Sequence, residues 1–234
     1  MELEINKVYN MDCLDLMREM LRGGVKADTL LTDIPYGECN GRTTISFPHH
    51  HLRNVDKGHA DTMTFDMQEF LELTDQVVSG NFIIFCGIEQ VSEIRRFYNK
   101  KEYTTRLLIW EKTNPSPMNG QYVYLSGIEC CVWAKKPNGT FNAKCKNTVF
   151  RHNCGKNELS PTQKPLPLWY ELLRDNTNEG QLVLDTCMGS FTTAIACIKM
   201  GRNFIGAELN KEQFEIGNER LKKELSQGSL FDLL

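Results

Sequence analysis

The sequence predicts an α/β fold built around a largely parallel sheet. Apolar runs typical of strands alternate along the chain with segments of helical periodicity. Several runs, such as residues 82–86, are apolar at nearly every position, which is typical of strands covered on both faces. A length of 234 residues fits one domain. We therefore expect a single domain over residues 1–226, with residues 227–234 as a C-terminal tail.

Seven strands are expected where short apolar runs are bounded by polar residues, glycine or proline. In chain order these runs are 5–9, 29–33, 81–86, 104–110, 128–134, 182–185 and 203–208. Six helices are expected where apolar residues recur every three or four positions, at 13–21, 67–79, 89–100, 166–175, 192–200 and 211–226. Asp12 is a favourable N-cap for the first of them.

Two long segments fit this alternation poorly. Residues 37–64 contain three consecutive histidines among glycines and a proline, and residues 135–163 are polar and rich in glycine and proline. Both are expected to be loops or small insertions. Because long loops in a compact domain are often functional, they are candidate recognition regions.

Composition limits the function classes. A net charge of -3 and a pI of about 6.0 exclude a uniformly basic nucleic-acid binder. The nine cysteines include no Cys-x-x-Cys pair, so no metal site is expected and the thiols are expected to be reduced. The chain opens without a secretory signal pattern and has no apolar run of about 20 residues, so we expect a cytoplasmic protein without a membrane span.

Chemistry is expected first at the end of the strand 29–33. Asp33 closes this apolar strand and is followed by Pro35, Tyr36 and Gly37. Since ligands of open α/β sheets bind outside the carboxyl ends of strands, Asp33 and Tyr36 are expected to face a crevice. The alternative is a strand that simply stops at a turn.

A second constellation is typical of nucleoside binding. The strand 182–185 ends in Asp185, a turn at Gly189 leads into a helix, and Glu208 closes the following strand. The glycine allows close approach of a ligand, and the acid is suited to ribose hydroxyls. Only one glycine is present, so the phosphate-binding fingerprint is missing and a nucleoside without a phosphate is favoured.

Four motifs in this order resemble the β-class S-adenosylmethionine-dependent DNA amino-methyltransferases, which have a circularly permuted Rossmann-like class I methyltransferase domain. Residues 33–36 resemble the Asp-Pro-Pro-Tyr motif, with Ile34 in place of the first proline. Residues 160–165 resemble His-Pro-Thr-Gln-Lys-Pro except at the first position. Residues 185–193 resemble Asp-Pro-Phe-x-Gly-Ser-Gly-Thr-Thr with three departures, and residues 10–14 resemble the segment that precedes the catalytic strand.

The resemblance implies a catalytic role for three residues. Asp33 and the carbonyl of Pro35 would accept the two hydrogens of an exocyclic amine, and Tyr36 would stack on a base flipped out of double-stranded DNA. Two fixed acceptors orient a poorly nucleophilic amine for in-line attack. Aspartate at the first position favours the 6-amino group of adenine over the 4-amino group of cytosine.

The resemblance also implies a set of S-adenosylmethionine-binding residues: Asp12, Cys13, Thr162, Lys164, Asp185, Cys187, Gly189, Ser190, Phe191 and Glu208. Phe191 stands where the family has a glycine. It would require a different backbone, cover the methionine end of the cofactor, or weaken cofactor binding. One rival interpretation is therefore a catalytically weak module that keeps the fold and binds DNA or the bacterial replication sliding clamp. Another is an RNA methyltransferase.

Residues 135–164 carry seven basic residues and one acidic residue, so the basic excess is expected to lie beside the site and to bind DNA phosphates. The candidates are Lys135, Lys136, Lys144, Lys146, Arg151 and Lys156.

Residues 227–231 resemble the short peptide that binds the bacterial sliding clamp, and are expected beyond the last helix. Because 234 residues leave room for only a small recognition region, we expect either a short target sequence or a homodimer that shares its recognition.

Overall fold

A computed structural model describes residues 2–36, 65–117, 120–155 and 163–231, the last five of them as backbone only. The predicted loop 37–64 therefore lies outside the described residues. So do Lys156 and Thr162, from the sets of predicted DNA-binding and cofactor-binding residues.

The described chain contains strands and helices in the alternation that the sequence predicts. The strands are β1 (Lys7–Tyr9), β2 (Ala27–Asp33), β3 (Val78–Cys86), β4 (Thr104–Lys112), β5 (Ile128–Lys135), β6 (Val149–His152), β7 (Leu182–Asp185) and β8 (Asn203–Ala207). The helices are α1 (Cys13–Arg22), α2 (Met67–Val77), α3 (Val91–Lys100), α4 (Leu166–Asn176), α5 (Thr192–Lys199) and α6 (Lys211–Phe231). Thus α/β alternation is confirmed, and element ends differ from expectation by a few residues.

All eight described strands form one sheet in the order β1-β8-β7-β2-β3-β5-β4-β6. Every neighbouring pair is parallel except the two pairs that involve β5. The expected number of seven was wrong because β6 lies within the segment 135–163. This strand is short, sits at the edge of the sheet and buries only Phe150, so it gives almost no apolar signal.

β2 and β7 are parallel neighbours, but successive strands are added in opposite directions on either side of this pair. From β2 the chain passes through α2 to β3 on one side, and from β7 it passes through α5 to β8 on the other. A crevice forms at such a switch point, outside the carboxyl ends of the strands. The ends of β2 and β7 are therefore the candidate ligand site.

Two apolar clusters cover the two faces of the sheet. One includes Leu16 of α1, Phe70 of α2 and Tyr98 of α3, and the other includes Trp169 of α4 and Ala194 of α5. The three-layer arrangement explains why the central strands are apolar at both odd and even positions.

The expectation of a free C-terminal tail was wrong at the backbone level, because α6 continues to Phe231. The segment has no proline to stop the helix, and a glycine such as Gly228 disfavours a helix by only about 1 kcal/mol. Residues 227–231, which resemble the clamp-binding peptide, are therefore helical.

Among the described residues, no helix is long and apolar enough to span a bilayer. The same part of the chain contains no group of three or more His, Cys, Asp and Glu residues arranged to hold a metal ion.

Candidate active site

The structure brings the two predicted strand-end aspartates to one edge of the sheet. Asp33 is the last residue of β2 and Asp185 is the last residue of the neighbouring β7. The hydroxyls of Thr32 and Thr186, which flank them, are 2.9 Å apart and connect the two strand ends. The two halves of the predicted site are thus adjacent.

Asp33 belongs to a partly buried cluster of titratable groups, here called the Asp33 cluster: Asp33, Tyr36, Lys112, Glu129 and Lys164. The Lys164 ammonium donates to Asp33 Oδ2 and, at 3.0 Å, to Glu129 Oε2. The Tyr36 hydroxyl is 3.1 Å from Asp33 Oδ1 and 2.9 Å from Glu129 Oε2. Lys112 approaches the other oxygen of Glu129 at 2.8 Å. Two carboxylates and two ammonium groups therefore balance in charge.

Burial and charge shift the pKa values of this cluster. Burial raises the pKa of the Asp33 carboxyl, although Lys164 opposes that shift. Burial also disfavours the charge of Glu129, but Lys164 and Lys112 outweigh it and lower the pKa of Glu129 to about 2. For Lys164 the two carboxylates outweigh burial and raise the pKa of its ammonium. Of the two carboxylates, Asp33 is the one that protonates more readily.

Tyr36 is held as a hydrogen-bond donor. Burial, followed by the charges of Asp33 and Glu129, raises the pKa of its hydroxyl well above the usual value. The Lys164 ammonium lies 5.6 Å from the centroid of the Tyr36 ring. The ring is thus fixed at its hydroxyl end and faces a cation.

The backbone between Asp33 and Tyr36 is fixed by the end of β3. Gln90 Nε2 donates to the carbonyl of Pro35 at 2.9 Å, while Gln90 Oε1 accepts the Gly87 N–H at 2.8 Å. A side chain at Gly87 would place its Cβ 2.9 Å from the carbonyl oxygen of Tyr36, so a glycine is needed there. The Pro35 carbonyl keeps a second lone pair for another donor.

Sequence reasoning missed Glu129, Lys112 and Gln90. Glu129 is the second residue of β5, and that strand begins at the candidate site because it runs antiparallel to its neighbours. The signal was an acid followed directly by an apolar strand, in the run 129–134. A rule that searches only strand ends overlooks such a residue.

Asp185 is hydrogen-bonded within the glycine turn and does not line an open surface. It is 3% exposed and accepts hydrogen bonds from the Cys187 N–H at 3.0 Å and from the Thr193 hydroxyl. Trp169 Nε1 donates to the same threonine oxygen at 2.7 Å. Burial raises the pKa of Asp185 to about 6, against the hydrogen bonds that it accepts.

Gly189 and Glu208 are joined within the turn that follows β7. Gly189 has a φ of +52°, and a Cβ built there would meet no atom within 4 Å. Glu208 Oε2 accepts the Gly189 N–H at 2.7 Å, so a turn amide that could serve a phosphate is bonded to a carboxylate. The residues present therefore fit a nucleoside whose hydroxyls donate to Glu208, and they disfavour a phosphate.

The predicted cofactor residues at the start of α1 lie next to this turn. Asp12 Oδ1 accepts the Leu14 N–H at 2.8 Å, so its role as N-cap is confirmed. The thiols of Cys13 and Cys187 lie within hydrogen-bonding reach of each other, which raises the pKa of Cys187. α1 is thereby packed against the loop that follows β7.

Phe191, at the position of the family's glycine, has a left-handed backbone conformation. Its φ of 63° and ψ of 31° are left-handed, which a glycine adopts freely. The ring is 0% exposed, packs edge-on against Phe214 of α6 with a centroid distance of 5.8 Å, and does not line an open surface. The expectation that the ring covers the cofactor is therefore wrong. Ser190 is also buried, and Arg220 holds its carbonyl at 2.7 Å.

Lys164 lies in the Asp33 cluster, although the family resemblance assigned it to the cofactor.

Most of the predicted DNA-binding lysines lie away from the candidate site. Because β5 is antiparallel, Lys135 pairs with Asn81 at the amino end of β3, about 20 Å along the strand from Glu129. Lys136 follows there and bonds to Asp75.

The next basic residues lie at the same remote end. Lys146 binds Asp175 and Glu171 of α4, and Asn142 donates to Arg174 at the end of the same helix. Lys144 lies between these two anchored residues. The expectation that this basic excess lies beside the site is therefore wrong for these lysines.

Arg151 alone of the described candidates lies at the edge of the candidate site. It is in β6 opposite Glu111, next to the pair of Lys112 and His152. Its side chain is 71% exposed and pairs with Glu111 at 3.0 Å.

Comparisons with known proteins identify the fold and the family. The M1.HpyAVI–SAM complex has a similar fold, with a TM-score of 0.72 and 28% identity over 92% of this chain and 98% of that chain. The Type II methyltransferase M2.MboI of Moraxella bovis is 25% identical over 94% of this chain and 91% of its own length. The DNA adenine methyltransferase YhdJ of Escherichia coli (strain K12) is 45% identical over 64 residues, which cover 27% of this chain and 22% of YhdJ. A family model for N6/N4 methyltransferases, described as DNA methylase, matches residues 27–219. The chain therefore belongs to the N6/N4 family of DNA methylases.

Proposed function

We propose that this protein transfers a methyl group from S-adenosylmethionine to the 6-amino group of adenine in DNA. The observation that carries the proposal is the pair of acceptors at the end of β2. The Asp33 carboxylate and the Pro35 carbonyl lie two residues apart, and Gln90 fixes the carbonyl. The local likeness to the adenine methyltransferase YhdJ supports adenine over cytosine.

S-adenosylmethionine supplies the methyl group on a sulfonium. Glu208 and Gly189 would hold its ribose side, with α1 residues near its base. Asp33 would accept one hydrogen of the substrate amine and stabilise the positive charge that develops on its nitrogen. The Pro35 carbonyl would accept the other hydrogen, and Tyr36 would stack on the base.

The DNA would approach the edge of the sheet that carries the Asp33 cluster. Arg151 supports this orientation, since it is exposed at that edge. The segment between β4 and β5 exposes Tyr124, at 101%, beside its neighbours Val123 and Leu125. Exposed apolar side chains of this type suit contact with bases in an opened duplex.

The proposal is tested by incubating the purified chain with tritiated S-adenosylmethionine and unmethylated DNA, followed by digestion and separation of the nucleosides. We expect label in N6-methyladenine. Label in 4-methylcytosine would show that cytosine, and not adenine, is the substrate. DNA binding without any label would favour an inactive module. Asp33→Asn is the matched variant, since it keeps the shape but loses the charged acceptor.

A further inference from the structure

The Tyr36 hydroxyl can donate to Asp33 or to Glu129, and the Lys164 ammonium reaches both of these carboxylates as well as the Tyr36 oxygen at 3.4 Å. The tyrosine carries one proton, and its oxygen is 3.1 Å from Asp33 and 2.9 Å from Glu129. The ammonium donates to Asp33 and, at 3.0 Å, to Glu129. Neither donor therefore depends on Asp33 alone.

This sharing matters because Asp33 is already engaged. In the proposed reaction the carboxylate must accept a hydrogen from the substrate amine, and it is surrounded by two donors of this protein. A buried donor that lost its acceptor would oppose such an exchange. With Glu129 at 3.0 Å or less, both donors keep a partner when Asp33 turns to the amine.

Glu129 is suited to this role because it is anchored independently. Its other oxygen is paired with Lys112 at 2.8 Å, and its side chain is 17% exposed. The residue lies on β5, between β3 and β4, so the backbone of the sheet fixes its position.

We infer that Glu129 is a positioning residue for methyl transfer, which takes over the Tyr36 hydroxyl and the Lys164 ammonium and so frees the Asp33 carboxylate for the substrate amine. The inference rests on the proposed function. It assigns Glu129 no contact with substrate.

The charges around Asp33 make the inference measurable. Lys164 and Glu129 face it directly, Lys112 lies behind Glu129, and Asp185 stands at the end of the neighbouring strand. Among the described residues, the other titratable neighbours are the Tyr36 hydroxyl and the thiols of Cys86 and Cys131. All three stay protonated near neutral pH, since each pKa is raised.

Glu129→Gln leaves two ammonium groups with one carboxylate. Lys164 then binds Asp33 more tightly, so we expect kcat to fall at least tenfold while the Kd for S-adenosylmethionine changes less than threefold. Because a negative neighbour is lost, the pKa of Asp33 falls and the acid limb of the pH–kcat profile moves to lower pH. Lys112→Gln removes a positive neighbour and should move the acid limb to higher pH.

Glu69→Gln is the matched control, because Glu69 is paired with Arg18 on the α1–α2 surface and lies outside the Asp33 cluster. It should change neither kcat nor the acid limb. A second readout that needs no activity is ¹³C NMR titration of aspartate carboxyls, with Asp33→Asn assigning the signal. The Asp33 midpoint should fall in Glu129→Gln and rise in Lys112→Gln.

An unchanged kcat or an unmoved Asp33 midpoint in folded Glu129→Gln overturns the inference. If Glu129→Gln does not fold, Lys112→Gln decides: an upward shift supports the inference, and no shift overturns it. The wild-type reaction is run alongside. Absence of methyl transfer by the wild type refutes the proposed function, whereas an active wild type with an insensitive Glu129→Gln refutes only the inference.

Discussion

The Phe191 ring packs directly against Gly217 and leaves no room for a side chain there. The effect of Gly217→Ala on the free energy of unfolding should therefore change sign when the ring is removed. A Cβ built at Gly217 would lie 2.3 Å from Cδ1 of Phe191 and 2.6 Å from two further ring atoms. The ring cannot withdraw easily, because it is fully buried and packs on Phe214. Gly217→Ala should therefore destabilise the native protein.

The magnitudes follow from burial and helix propensity. Overpacking a filled core costs about 1–3 kcal/mol, which exceeds the gain of about 1 kcal/mol from replacing glycine by alanine inside α6. Phe191→Ala alone should lower the free energy of unfolding by about 3–5 kcal/mol, since it empties a core position. In that background Gly217→Ala meets free space and should raise the free energy of unfolding by about 1 kcal/mol.

The four proteins are compared by urea denaturation of the full chain, followed by circular dichroism. Glu215→Ala is the control, since its side chain is 65% exposed on the same helix and its effect should stay within about 0.5 kcal/mol in both backgrounds. A Gly217→Ala effect of the same sign and size in both backgrounds would refute the packing argument.

Three further predictions concern the site and its surroundings. Gln90→Ala should lower kcat about tenfold with unchanged cofactor affinity, because the Pro35 carbonyl loses its fixed donor; loss of cofactor binding in isothermal titration would contradict this. Arg151→Gln should weaken DNA binding and reduce the salt slope by about one, whereas Lys136→Gln should not alter the slope; equal effects in filter binding would contradict the orientation. Asp185 has a pKa raised to about 6, so the fold favours its protonated form and the free energy of unfolding should fall as pH rises from about 4 to about 6. That part of the pH dependence should be missing from Asp185→Asn in thermal unfolding at each pH.

Strand-end logic predicted one half of the site well. Asp33, Asp185 and Glu208 each follow an apolar run, and parallel strands bring their carboxyl ends to one edge. The sequence therefore placed these acids together correctly. It could not reveal that Asp185 would be buried in the turn while Glu208 remains partly exposed.

The direction of β5 explains what could not be predicted. An antiparallel strand brings its first residues, including Glu129, to the site, and carries its last residue, Lys135, to the opposite end. Local patterns do not encode strand direction, because pairing depends on distant neighbours. Lys135, Lys136, Lys144 and Lys146 were therefore assigned to the wrong end of the sheet, whereas Arg151 lies at the candidate site.

Phe191 illustrates a departure that sequence comparison alone misinterprets. A bulky residue at a glycine position suggested weakened cofactor binding, yet Phe191 adopts a left-handed backbone conformation that a glycine would also adopt freely. Left-handed backbone at a non-glycine residue costs about 1–2 kcal/mol, and burial of the ring offsets it. The compensating residue, Gly217, lies 26 positions away on α6.

The central claim is that the Asp33 end of β2 presents an amine to a methyl donor. The most direct measurement is single-turnover transfer of tritiated methyl to unmethylated DNA by wild type and Asp33→Asn, with cofactor binding measured on both. The account predicts N6-methyladenine from the wild type, and a loss of at least a hundredfold in rate with retained cofactor affinity in Asp33→Asn. Equal rates for the two proteins would contradict it.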